Sequence, residues 1–351
     1  MKTLTYEGPT EVRYSDIPAP EIRESHQALI EVSLAGICGS DLHIFDGHGF
    51  SATTGYSMGH EAVGVVREVG RDVTRFSVGD RVLIPASVGC SKCPPCVNGR
   101  VLSCVDKPSA LESCYGLGGG LPGSQAQFVR VPQADGNLVA LPSDVSDEAG
   151  VVLTDNAPTA WYGCRRARIG PGESVLVIGL GPVGLMSAQC AFAMGAAQVI
   201  GVDPVRERRE LAQGMGVRTV ESADDPKVEI RDLTKGIGPD AVIEAVGADN
   251  TITLALRAVR PRGRVSVIGV SQNRRFPFPM ELAQVKELEF AIGLCSVQAE
   301  LPALLALTQG GRLHPETVVS HRLPMSAGVK AYDIYRSRSD AVSKVVLDPR
   351  L

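Results

Sequence analysis

Short apolar runs, broken every few residues by glycine or proline, fill the first part of the chain: ALIEVSLAGI, EAVGVVREVG, RVLIPA and AQFVRVP. Alternating apolar and polar side chains with such close turn signals predict a mostly antiparallel β domain rather than βαβ units. Past residue 150 the rhythm changes. SVLVIG, QVIGVD, DAVIEAVG and RVSVIGV read as buried strands, and the stretches between them, such as GLMSAQCAFAMGA and RERRELAQGMG, read as helices. Strands alternating with helices predict a doubly wound parallel sheet. After residue 293 a further helical stretch, ELPALLALTQGG, leads to a Pro- and Gly-punctuated end closing on KVVLDP, expected to return to the first domain. The predicted fold is therefore α/β. One domain spans residues 1–151 and 294–351, and the doubly wound one spans 152–293.

The length of 351 residues fits two domains. A net charge of −4, from 35 basic and 39 acidic residues, argues against nucleic acid as a partner. The segment from Val175 to Val202 holds no charged residue and is long enough to cross a bilayer. Its glycines and Pro182, with β-rich ends around an Ala-rich middle, read instead as strand, turn, helix and strand. The start, MKTLTYEGPTEVRYSD, lacks the apolar centre of a secretory signal, so a cytoplasmic protein with no membrane partner is expected.

Candidate chemistry begins with the nine cysteines. Cys90, Cys93, Cys96 and Cys104 crowd into the polar loop GCSKCPPCVNGRVLSC. Four thiolates suit a tetrahedral Zn2+, and four protein ligands leave no open position, which makes the site structural. An iron–sulfur cluster is the competing use. A second group is sparser: Cys38 in GICGSDLH, and His60 with Glu61 in GHEAVGVV. A catalytic zinc needs three protein ligands and one exchangeable position. The third feature is Gly179-x-Gly181-x-x-Gly184, with Pro182 and Val183 between the last two glycines. It follows SVLVI and opens a helix, where backbone can approach a pyrophosphate at the helix N-terminus. Asp203 ends the next strand, placed to take ribose hydroxyls and repel a 2′-phosphate, which favours NAD over NADP. Arg206, Arg208 and Arg209 nearby could instead accept a phosphate.

Cys-Gly-Ser-Asp-Leu-His at 38–43, Gly-His-Glu at 59–61, the four-cysteine loop, the glycine motif and Lys-Val-Val at 344–346 occur in one order over nearly the whole chain. In this the sequence resembles the zinc-dependent medium-chain alcohol dehydrogenase family. The resemblance implies a GroES-like, mostly antiparallel β catalytic domain beside a Rossmann cofactor domain. It implies two Zn2+ ions per chain, the catalytic one on Cys38, His60 and Asp155 of TDNAPTAWYG, with Cys164 a rival ligand. Glu61 resembles an occasional fourth ligand, and Asp41 is expected on the other nitrogen of His60. Thr159 should lie against the nicotinamide, Val246 and Ile268 should line its pocket, Arg208 should neighbour the adenine, and Lys344 should reach the pyrophosphate.

The implied reaction is reversible hydride transfer between a secondary alcohol or polyol (or an aldehyde or ketone) and NAD(H), with zinc polarising the substrate oxygen. Ser40 would accept the alcohol proton and His43 would pass it to solvent by way of the cofactor ribose. Gly39 stands where some alcohol dehydrogenases carry a basic residue, which leans toward the polyol, threonine and bacterial secondary-alcohol branches. Two other readings rank lower. A dismutase or epimerase recycling bound NAD would need an extra cofactor-trapping loop, and a non-catalytic protein of this fold has no use for the Cys38–His60–Asp155–Ser40–His43 constellation. Phe45, His48, Phe50, Tyr56, Trp161, Leu294 and Cys295 are candidate pocket residues, a rather apolar set pointing to a substrate less polar than a sugar. Related enzymes imply a homo-oligomer, a dimer or homotetramer.

Overall fold

A computed structural model describes every residue except 50, 108, 222–224, 272, 274, 339 and 340. Phe50, a candidate pocket residue, therefore lies outside the described residues. The chain forms two compact units, Met1–Pro158 with Ser296–Leu351, and Thr159–Cys295. The first crossing thus falls beyond residue 151. The reason is local: the turn after helix Asp147–Leu153 is tied to the first unit, where the Ala86 N–H donates to the Thr154 carbonyl at 3.1 Å.

The first unit is built around strand Ala28–Ile37. It pairs antiparallel with Ala62–Val69, Phe128–Val131 and the C-terminal strand Lys344–Asp348. Two register shifts along its pairing with Ala62–Val69 bend the strand, so side chains feed two apolar cores. One core gathers Ile30, Val32, Val66, Ile84 and Val129; the other gathers Leu4, Ile37, Ile44, Met58, Tyr332 and Val345. Strands Glu11–Asp16, Lys2–Gly8 and Tyr56–Ser57 form a smaller sheet. The tail rejoins this unit through the register Val345↔Ile37 and Leu347↔Ala35.

The second unit is a six-stranded parallel sheet in the order Arg218–Glu221, Gln198–Asp203, Ser174–Ile178, Ala241–Glu244, Arg264–Val267, Glu289–Ile292. In chain order this is 3-2-1-4-5-6, the Rossmann arrangement, whose reversal lies between the first and fourth strands. Helix Pro182–Ala193 follows the first strand, with Gly181 as N-cap and Pro182 opening the first turn, where its missing N–H costs nothing. Among the described residues no helix is long and apolar enough to cross a membrane.

Candidate active site and metal centres

Three elements of the first unit converge on one cluster. Strand Ala28–Ile37 delivers Cys38, which caps helix Gly39–His43: its backbone N–H donates to Asp41 Oδ2 at 2.9 Å. His60 and Glu61 immediately precede strand Ala62–Val69, pinned by the Gly36 N–H donating to the Glu61 carbonyl at 2.8 Å. Asp155 sits in the two-residue turn between helices Asp147–Leu153 and Asn156–Arg166; Ser146 caps the first of these, accepting from the Ala149 N–H at 3.1 Å.

Cys38 Sγ lies 3.4 Å from Asp155 Oδ2, which lies 3.7 Å from His60 Nε2. Ligand bonds of ~2.0–2.3 Å set at tetrahedral angles give edges of about 3.3–3.8 Å, so the donor spacing fits one Zn2+ held by these three side chains. His60 Nδ1 faces Asp41 Oδ1 at 3.2 Å; the two atoms are buried and have no other hydrogen-bond partner. Asp41 therefore fixes the ring so that Nε2 is the atom presented to a metal. Ser40 Oγ stands 3.2 Å from that same nitrogen. Burial, followed by the nearby Glu61 and Asp155 charges, pushes the Cys38 thiol up. A metal must therefore displace a proton there.

Glu61 belongs to the same group of potential ligands. Both its oxygens are already engaged: Asn156 Nδ2 donates to Oε1 at 2.7 Å, and the Lys344 ammonium closes on Oε2. A side chain at position 36 would overlap Oε2, so glycine there makes room for the carboxylate. Lys344 has a role here that the sequence did not announce. Its side chain is wholly buried, with Nζ donating to the Ile37 carbonyl at 2.9 Å as well. The physical reason is charge balance, since a buried carboxylate beside two other anionic donors requires a cation. Cys164, the rival ligand, is buried in the second unit with its thiol 3.5 Å from the Ser187 carbonyl, and it is no member of this cluster.

His43 ends the short helix begun at Gly39 and is half-buried; burial, chiefly, lowers its pKa. Of the candidate pocket residues in this unit, Phe45 is core, its ring 5.3 Å from that of Tyr332, and Tyr56 packs on Tyr6 at 5.7 Å. His48 is exposed.

The four-cysteine loop places Cys90 Sγ 4.0 Å from Cys96 Sγ, and Cys93 Sγ 4.0 Å from Cys104 Sγ. Four sulfurs at ~2.3 Å from one zinc would stand about 3.8 Å apart, whereas a multi-iron cluster would hold them farther apart. The donor set fits a single ion. Backbone N–H groups of Cys96 and Val105 hold the Cys93 thiol down to about 6, while burial lifts Cys96 to about 12.

In the second unit, Gly179 has φ +88°, a left-handed turn that glycine adopts without strain, and a Cβ at Gly184 would overlap the Gly179 carbonyl. These two glycines bend the loop back onto the start of helix Pro182–Ala193, leaving its N-terminal N–H groups free for an anion. Asp203 does something the motif did not announce. Its Oδ2 accepts the Leu180 N–H at 2.7 Å and its Oδ1 the Val205 N–H at 2.8 Å, tying the glycine loop to the next strand. Remaining lone pairs are left for a ribose hydroxyl. Arg206 pairs with Glu210, and Arg209 donates to the carbonyls of Asp203 and Pro204. Arg208 lies over Gly181, 3.9 Å from Asp203, with its Nε buried and unpartnered. Val246 packs on Gly179 and is half-exposed, whereas Ile268 is buried beneath Gly163. Thr159, partly exposed, lies in the first turn of helix Asn156–Arg166.

Asn156 and Gln125 were missed as contributors. Asn156 adjoins a candidate ligand and could have been flagged; nothing near Gln125 in the sequence marks it.

A GroES-like β unit carrying two cysteine-containing clusters that could hold metal, and a Rossmann unit with an intact phosphate loop, define a zinc-type dehydrogenase. Comparisons with known proteins agree. Residues 24–143 match the alcohol dehydrogenase GroES-like domain and residues 182–310 match the zinc-binding dehydrogenase domain. A probable zinc-binding alcohol dehydrogenase of Mycobacterium tuberculosis is 36% identical over 99% of this chain and 89% of its own. The solved alcohol dehydrogenase TADH from Thermus sp. ATN1 is 38% identical, with a TM-score of 0.92 over 99% of each chain. An alcohol dehydrogenase of Escherichia coli CFT073, solved with NADH, is 26% identical with a TM-score of 0.86 over 99% of each chain. The chain belongs to the zinc-dependent medium-chain alcohol dehydrogenase family.

Proposed function

We propose that this enzyme reversibly transfers hydride between a secondary alcohol or polyol and NAD(H), using two zinc ions per chain. The observation that carries the reading is the convergence of Cys38, His60 and Asp155, with Ser40 at their open side. When bound there, Zn2+ supplies the Lewis acidity that polarises a substrate oxygen. Ser40 Oγ takes the hydroxyl proton. His43, kept neutral near pH 7 by its lowered pKa, accepts it in turn and releases it to solvent. The second ion, on Cys90, Cys93, Cys96 and Cys104, holds a loop with too little apolar content to pack alone.

Gly179, Gly181, Pro182, Val183 and Gly184 seat the pyrophosphate, Asp203 the ribose, and Arg208 flanks the adenine. Thr159 and Val246 border the nicotinamide. NAD rather than NADP is supported by the buried Asp203, and by Arg206 and Arg209 being turned toward Glu210 and backbone carbonyls. The NADH-bound relative adds to that support. Nine cysteines, none in a disulfide, suit a reducing cytoplasm, and the family's habit points to a homo-oligomer.

The test pairs metal analysis with nicotinamide absorbance. Two zinc ions per chain, and turnover of secondary alcohols or polyols with NAD, are expected from a panel that also holds threonine, aldehydes and NADP. One zinc per chain would remove the catalytic site, and preference for NADP would overturn the role of Asp203.

A further inference from the structure

Behind the Cys38–His60–Asp155 cluster runs a chain of buried polar groups. Tyr332, on helix Gly328–Ser337, donates from its hydroxyl to Gln125 Oε1 at 2.8 Å. Gln125 Nε2 donates to Asp41 Oδ2 at 3.2 Å and to the Gly36 carbonyl at 3.0 Å. Asp41 then faces His60 through Oδ1 and holds the Cys38 backbone N–H through Oδ2. Tyr332, Gln125 and Asp41 are each 0% exposed.

The polarity of the chain is forced. Gln125 can donate to two oxygen acceptors only through its amide nitrogen, so its carbonyl must accept, and Tyr332 is the hydroxyl that satisfies it. Without Tyr332, that buried carbonyl would lose its donor, leaving the end of the amide unanchored on that side and its hold on Asp41 weaker. Gln125 is otherwise clamped in place. Its N–H donates to the Met58 carbonyl at 2.9 Å, its carbonyl accepts from the Leu4 N–H and Thr3 Oγ1 at 2.9 Å, and its side chain fills the space a Cβ at Gly59 would need. Gly59 is the residue before His60. One amide thus touches the approach to both ligands: Gly36 and Asp41 on the Cys38 side, Gly59 and Asp41 on the His60 side.

We propose that Gln125 and Tyr332 are positioning residues for the catalytic metal, a strut that sets the orientation of Asp41 and through it the spacing of Cys38 and His60. The inference rests on the ligand assignment given under Proposed function. It predicts that loosening the strut loosens one metal and leaves the other alone, because the four-cysteine loop shares no residue with it.

The experiment follows zinc release from the zinc-loaded full-length protein into excess chelator with a colorimetric indicator. Asp155→Ala identifies which release phase belongs to which site. Tyr332→Phe, which removes one oxygen, is expected to speed release of the catalytic ion by about tenfold, the lower end for losing an outer hydrogen-bond partner, while the second ion leaves at the wild-type rate. Gln125→Leu is expected to act in the same direction. Equal release rates in wild type and Tyr332→Phe would overturn the proposal, and so would acceleration of both ions together with a lowered Tm, which marks general loosening. Wild-type protein carrying a single zinc would remove the ligand assignment itself and the strut with it, a failure visible before any variant is made.

Discussion

His43 illustrates how one side chain's surroundings set its chemistry. Partial burial, aided by His48 and opposed by Asp46, holds its pKa below the ordinary value, which favours the neutral imidazole that a proton relay needs. Replacing it with alanine should lower turnover at pH 7 by up to the ~10²-fold typical of a general acid–base group, with the deficit shrinking as hydroxide takes over at high pH. Steady-state rates between pH 6 and 10 check this, and a loss that is uniform across pH would count against the relay. The sequence could offer Ser40 and His43 as candidates because both follow Cys38 within six residues, where helix geometry limits where each can point. The pairing of Lys344 with Glu61 is not legible in the sequence because 283 positions separate them.

Single elements reveal a second kind of constraint, the unpaired backbone at helix ends. The last carbonyls of helix Asp249–Ala258 have no helical donors, and the Lys286 ammonium supplies them, donating to Leu256 at 3.1 Å, to Arg257 at 3.0 Å and to Val259. A cation at a helix C-terminus also opposes the dipole's negative end. Burial lowers the Lys286 pKa, so the cap costs some desolvation. Lys286→Met should therefore destabilise the second unit by about 1.5–3 kcal/mol, the range for a charged hydrogen bond, read as a drop in Tm by calorimetry. An unchanged Tm would show that water serves the carbonyls equally well. The glycine turn at 179–184 was legible as an element because its spacing encodes its own geometry. The clamp Asp203 places on it was not, since strand pairing creates it.

Across the whole molecule, the C-terminal strand decides how the site is completed. Only when Val345 pairs with Ile37 does Lys344 arrive beneath Glu61. Lys344→Met would strand that carboxylate in the interior, and a cost of about 3–5 kcal/mol is expected. The double variant Glu61→Gln with Lys344→Met should recover most of it, because a neutral amide needs no counter-charge. Chemical denaturation of wild type, single and double variants separates the cases; equal losses in single and double would reduce Lys344 to a packing residue.

Chemistry carried by short spacings was written in the linear order: four cysteines in one loop, three glycines in one turn, and the apolar rhythm of each sheet. Neighbours within a few residues can reach only a few arrangements, so spacing alone narrows them. The bond from Tyr332 to Gln125 that anchors the strut, the pairing of Lys344 with Glu61, and the meeting of Cys38 with Asp155 span 207, 283 and 117 positions. Their partners are selected by strand register and by the requirement that every buried charge or polar atom find a complement. That requirement acts on the folded chain, where residues far apart in sequence first share a desolvated interior.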